Sequence, residues 1–117
     1  MAQCSYSLQY AESDFDEVDD KGIAAPTEIL PAFDTFDWPA QARAAEQIQK
    51  CSPTFAVREV DSERFFWVSA YGLPELKFVN EYSDSRSTRE LSMMEARRAI
   101  QLFVDGDHNG LLTLLKA

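Results

Sequence analysis

Arg64-Phe65-Phe66-Trp67-Val68-Ser69-Ala70-Tyr71 is the stretch whose reading decides the fold. Successive side chains of a strand point to opposite faces, so Phe66, Val68 and Ala70 share one side while Phe65, Trp67 and Tyr71 share the other. The run is flanked at short spacing by two further strand-like runs, residues 54–60 and 75–82. Asp61-Ser62-Glu63 reads as a tight hairpin loop, and Gly72-Leu73-Pro74 breaks the chain before the third run. Neither gap holds a crossover helix, so the three runs form an antiparallel meander.

Working outward, residues 4–11 alternate polar positions with Tyr6, Leu8 and Tyr10, the period-two pattern of another strand. Residues 22–31 contain Pro26 and Pro31 and read as irregular connection. Asp37 stands where an N-cap belongs and Pro39 suits a first turn, so a helix is expected over 38–50, with Trp38, Ala42, Ala45 and Ile48 as its apolar stripe. After a polar loop at 83–89, Ser92 and Glu95 spell a capping box, with Leu91 placed to staple onto Ala96. The helix it starts at Met93 turns Ala96, Ile100, Phe103 and Val104 inward and Arg97, Arg98 and Gln101 outward, and stops at Asp105-Gly106. Residues 111–116 read as a short last helix. The expected fold is α+β: one domain over residues 1–117, an antiparallel three- to four-stranded sheet, two main helices mainly on one face, and the short C-terminal helix.

The net charge of −9 is local. Residues 1–37 hold nine acids against Lys21 alone, which accounts for −8, and most of these acids lie in an expected loop at about residues 12–22. Such a block stays solvated, and it also accelerates association with a basic surface. Phe15 and Val18 inside it can anchor what the charges attract. The acid excess argues against duplex nucleic acid as a partner, because phosphate contacts come from Lys and Arg. Arg86, Arg89, Arg97 and Arg98 read as a salt-bridged surface, given Asp84, Glu90 and Glu95 beside them.

No stretch approaches the roughly 20 apolar residues of a membrane span, and Met1-Ala2-Gln3-Cys4-Ser5-Tyr6 lacks the order of a signal peptide, so a cytoplasmic protein is expected. Cys4 and Cys51 read as free thiols, and with His108 they fall short of a zinc set. Asp105-Gly106-Asp107-His108-Asn109-Gly110 matches the opening of a calcium loop, but Lys116 stands where the bidentate carboxylate belongs; a helix-ending turn is expected and no metal. Cys51 and His108 are the nucleophile and base candidates for an enzyme. Cys51 sits at a helix end whose dipole disfavours a thiolate, and His108 reads as a solvated loop residue. No enzyme and no cofactor is therefore expected.

What remains is binding. If the helices cover one sheet face, Phe65, Trp67 and Tyr71 lie on the other, among Ala56, Arg58, Val60, Lys77, Val79 and Glu81; burial of Phe65 and Trp67 under the N-terminal third is the other outcome. The partner-binding residues expected are Asp14, Asp16, Glu17, Asp19, Asp20, Phe65, Trp67 and Tyr71. In size, acidity and α+β layout the chain resembles bacterial immunity proteins as a class. The resemblance implies an inhibitor that neutralises a basic toxin, such as a nuclease. A regulatory or adaptor domain binding a peptide or small ligand, or self-associating, through the Trp67 face is the alternative.

Overall fold

The computed structural model describes residues 3–14, 16–85 and 89–116. It is α+β, with strands β1 (Cys4–Gln9), β2 (Asp19–Ala24), β3 (Thr54–Glu59), β4 (Phe65–Tyr71) and β5 (Lys77–Tyr82), and helices α1 (Pro26–Thr35), α2 (Trp38–Ile48), α3 (Met93–Val104) and α4 (His108–Lys116). The strands form one antiparallel sheet in the order β2-β1-β3-β4-β5. The meander is present as β3, β4 and β5, but the described residues form a five-stranded sheet and four helices, more than the sequence reading allowed.

The additions lie where the chain reads as loop. β2 carries Asp19, Asp20, Lys21 and Gly22, a poor strand composition, yet it pairs along β1 from Ala24 opposite Cys4 to Asp19 opposite Leu8. The acidic segment is thus the tip and second arm of a β-hairpin, not an open loop through residue 22. α1 forms in spite of Pro31, whose ring removes an interior hydrogen bond, because Ile29 and Phe33, one turn apart, are fully buried. α4 begins at His108, three residues earlier than its leucines suggest.

The other helix boundaries follow local chemistry. The Asp37 carboxylate accepts from the Ala40 amide at 3.2 Å and starts α2, which ends at Gln49 in a left-handed conformation (φ 58°). Ile48, placed in the apolar stripe by spacing, is exposed. The capping box of α3 is closed in both directions: Ser92 Oγ accepts from the Glu95 amide at 3.2 Å, and Glu95 Oε1 accepts from the Ser92 amide at 3.0 Å. Leu91 is buried, and its backbone pairs with Phe78 along the outer side of β5.

The helices lie over one face of the sheet. Leu8, Phe55, Val57, Phe66, Val68, Ala70, Phe78 and Tyr82 point into this layer. They meet Phe33, Trp38, Ala96, Ile100, Phe103 and Leu111 from the helices. Trp38 sits at the junction of α1, α2 and β5, edge-on to Phe78 at 5.1 Å and tilted on Phe33 at 5.3 Å, with its indole N–H donating to the Phe33 carbonyl at 3.2 Å. With both α1 and α2 committed to this side, the other face of the sheet is left for something else. Among the described residues no helix is long and apolar enough to cross a membrane.

Candidate functional site

The face away from the helices is built in cross-strand rows. Ile23, Ser5, Arg58 and Phe65 form one row; Asp20, Ser7, Ala56, Trp67 and Glu81 form the next; Gln9, Thr54, Ser69 and Val79 form the third; Tyr71 and Lys77 close the series. Phe65 and Trp67 are half-buried and Tyr71 is exposed, so the aromatic row is not covered by the N-terminal third. The Trp67 indole N–H donates to Glu81 Oε2 at 3.1 Å, which fixes the ring across the sheet. Thr54 and Ser69 hydroxyls pair beside it.

Apolar exposure is concentrated on this face. Of the seven exposed large hydrophobic side chains among the described residues, Ile23, Val60, Tyr71 and Val79 belong to it by strand alternation, and Val18 lies at its edge; Ile48 and Met94 lie elsewhere. Ile23 and Val60 lie at one end of the face and Tyr71 and Val79 at the other, with half-buried Phe65 and Trp67 and the polar Ser5, Arg58, Thr54 and Ser69 between them. A shallow depression of about 310 Å³ runs over Ser5, Ser7 and Ala56, where the side chains are short, between Val18 and Asp20 on one side and Arg58 and Phe65 on the other.

The acidic hairpin tip is held from both sides of the sheet: the Ala11 amide at its base donates to Gln41 Oε1 of α2 at 2.7 Å, and Gln9 reaches it from the open side. Gln9, whose side chain is on the open side, donates from Nε2 to the carbonyls of Asp14 at 3.5 Å and Glu17 at 3.3 Å. The tip is tightened by the Glu17 carboxylate, which accepts from the Asp14 amide at 3.0 Å. Phe65, Trp67 and Tyr71 thus share the open face, whereas the acidic residues are divided, Asp19 standing opposite inward-facing Leu8 on the helix side. Asp14 is paired with Lys50 at 3.0 Å. Asp19 is paired with Lys21 at 2.9 Å and takes a hydrogen bond from the Tyr10 hydroxyl at 3.2 Å, and these hold its carboxyl below the ordinary range. Asp20 accepts from the Gly22 amide at 2.9 Å, while Asp16 and Glu17 are exposed. Phe15 and Arg86 lie outside the described residues.

No protein family, curated protein or solved structure matches the chain. Function must therefore be read from its own chemistry.

A second polar cluster lies at the helix layer and was missed by sequence reading. Glu59, only 5% exposed, bonds His108 Nε2 through Oε2 at 2.8 Å and takes the Ser62 hydroxyl on Oε1 at 2.8 Å, with Arg64 at 3.7 Å. The other ring nitrogen of His108 meets the Tyr82 hydroxyl at 2.7 Å, the imidazole lies nearly parallel to the Tyr82 ring and end to end with it, and Phe103 stands edge-on to the imidazole. His108 is thus a wedge between α4 and the sheet, not a solvated loop residue. The only available signal was the odd parity of Glu59, a carboxylate at an inward-facing strand position. Burial pushes the Glu59 carboxyl up, but Ser62, His108 and Arg64 outweigh it and hold it below the ordinary range. Burial above all, helped by Asp84, pushes the Tyr82 phenol well up.

This arrangement bears on the enzyme candidates. Both His108 ring nitrogens are engaged by Glu59 and Tyr82, the nucleophile candidate Cys51 is a half-buried free thiol, and burial, reinforced by Glu59, raises the other thiol, Cys4, which leaves less thiolate there. The calcium-like string is likewise occupied by helix geometry: Gly106 takes a left-handed φ of 79°, and the Asp107 carboxylate accepts from the Gly110 amide at 2.9 Å to cap α4. A β-carbon on Gly110 would lie 2.6 Å from that carboxylate. Asp107→Ala should remove the cap and lower stability by about 1 kcal/mol, read as a drop in the denaturant midpoint with the slope unchanged. Among the described residues no group of three or more His, Cys, Asp or Glu side chains is placed to hold a metal ion.

Proposed function

We propose that this protein is a non-catalytic binding domain that docks a basic protein partner on its open sheet face, in the manner of an inhibitor or immunity protein neutralising a basic toxin such as a nuclease. The reading is carried by one observation: the exposed apolar side chains Val18, Ile23, Val60, Tyr71 and Val79, with half-buried Phe65 and Trp67, collect on the face whose edge is the acidic hairpin. Aromatic anchors supply affinity, and the hairpin charge supplies attraction at a distance.

A photo-crosslinking residue placed at Val79 in the source cell tests the reading, with Met94, 83% exposed on α3, as the control position. Capture of one basic protein from Val79 and not from Met94 is the expected result. Capture only from Met94, or from neither position, refutes it. With that partner in hand, neutralising Asp14, Asp16, Glu17, Asp19 and Asp20 together should slow association about ten-fold at low salt and change dissociation little. Most of the effect should come from Asp16, Glu17 and Asp20, since Asp14 and Asp19 already have cationic neighbours. Unchanged association at low salt removes the steering role.

Self-association through the same face is the second reading, favoured by its mixed charges, Asp20 and Glu81 against Arg58 and Lys77. Sedimentation of the purified chain separates the two: a stable dimer supports self-association, and a monomer supports a different partner.

A further inference from the structure

Glu59, His108, Tyr82, Asp84 and Arg64 close into one ring of side chains beneath α4. Glu59 Oε2 lies 2.8 Å from His108 Nε2, His108 Nδ1 lies 2.7 Å from the Tyr82 hydroxyl, and that hydroxyl lies 3.4 Å from Asp84 Oδ2. Arg64 joins the two acids, donating from Nε to Asp84 at 2.8 Å and standing 3.7 Å from Glu59. The members come from the end of β3, the residue before β4, the end of β5 and the turn after it, and the first residue of α4. Glu59 and Tyr82 are buried, His108 is nearly so, and Asp84 reaches solvent.

The positions of the hydrogens follow from which atoms can donate. Burial works against ionisation of Glu59, but Ser62, His108 and Arg64 outweigh it, so Oε2 is an acceptor only. Nε2 of His108 therefore carries a hydrogen. In a neutral imidazole the other nitrogen then has none, so Nδ1 accepts and the Tyr82 hydroxyl is its donor. Asp84 meanwhile keeps the Arg64 guanidinium and the Ser83 hydroxyl, the latter at 3.2 Å.

A proton added at Nδ1 reverses one hydrogen bond and breaks none. The imidazolium donates from both nitrogens, to Glu59 and to the Tyr82 oxygen, and the hydroxyl hydrogen turns to Asp84 Oδ2. Every donor keeps an acceptor, and the added charge lies between two carboxylates. The remaining groups near the ring do not compete for the proton. Cys4, opposite Glu59 across β1 and β3, is a thiol raised by burial and by Glu59, and the Asp107 carboxylate is committed to the Gly110 amide. Asp105 is exposed at the end of α3, and α3 itself presents the uncharged Phe103 to the imidazole.

We infer that His108 is a proton-accepting latch: the ring lets the imidazole take up a proton without releasing α4, the Tyr82 hydroxyl moving its hydrogen from His108 to Asp84. The latch belongs to the helix layer and stands whether or not the open face docks a partner.

The test uses the full chain with ¹⁵N-labelled histidine, and because His108 is the only histidine its ring signals identify themselves. Long-range ¹H–¹⁵N correlation at about pH 8 should show the Nε2–H tautomer, and lowering the pH to about 5, where Glu59 stays ionised, should convert the same signals to those of the imidazolium. Through that change the hydrogen-exchange protection of Leu111 and Leu115 in α4 should not fall. Tyr82→Phe keeps the aromatic ring and leaves the cation's Nδ1–H without an acceptor. In that variant the protection should drop at least about ten-fold between the neutral and the protonated ring. An Nδ1–H tautomer at about pH 8, a ring still neutral at about pH 5, or parent protection that falls on protonation overturns the inference, and all three are read on the parent chain. So does a folded Tyr82→Phe chain whose α4 protection is the same in both states.

Discussion

Replacing Trp67 by Ala should weaken the complex with the captured partner at least about 30-fold, a loss of about 2 kcal/mol or more, while the chain remains folded. Trp67 stands near the centre of the open face, flanked across the strands by Ala56 and Glu81, and its ring is fixed by the 3.1 Å bond to Glu81. A large ring held in place before binding loses little freedom on association, which is why such residues dominate interfaces. Because the side chain faces away from the core, its removal should cost the free protein only about 1 kcal/mol, from lost cross-strand contacts. Titration calorimetry of Trp67→Ala and Trp67→Phe separates the two costs, since phenylalanine keeps the apolar plate and loses the bond to Glu81. An Ala variant that binds like the parent chain would show that the aromatic row is not the anchor.

Glu59→Ala should destabilise the fold by about 2 kcal/mol, the cost of leaving buried hydrogen-bonding groups without their acceptor. The change removes the acceptor for His108 Nε2 and Ser62 Oγ at once, and His108 is what seats α4 against Tyr82 and Phe103. The same carboxyl imposes a pH dependence. Its folded value lies below the unfolded one, so it contributes stability above the ordinary glutamate value of about 4.3, and that contribution is lost as pH falls through the folded value. Urea unfolding at a series of pH values from 3 to 7 should show parent stability falling below about pH 4.5 and a shallower fall for Glu59→Ala. Parallel curves would assign the acid sensitivity to other carboxyls.

The legible parts of this fold are those in which local chemistry and tertiary packing agree. The two parities of Phe65 to Tyr71, the Asp37 cap and the Ser92–Glu95 box each specify their element, and each is present. The illegible parts are those in which packing overrides composition. Pro31 argues against a helix although Pro26 suits a first turn, and burial of Ile29 and Phe33 decides for one. Asp19 to Gly22 argue against a strand, but the register with β1 imposes one. Of the site, the aromatic row was readable from strand alternation, whereas its openness depended on α1 and β2, the two elements that were not foreseen. The positions of Val18 and Gln9 beside the acidic tip follow only from the hairpin geometry, whereas Arg58 was placed on that face by parity. His108 was misplaced because nothing in its neighbours announces a strand carboxylate 49 positions away in sequence.

The chain has two tryptophans, one on each side of the sheet: Trp67 on the open face and Trp38 fully buried in the helix layer. Their two indole N–H resonances report the docking face directly when the ¹⁵N-labelled chain is titrated with the captured partner. Docking on the open face predicts that the Trp67 signal shifts or broadens while that of Trp38 stays in place. Movement of Trp38 with Trp67 unchanged, or no movement of either signal on formation of the complex, would contradict it.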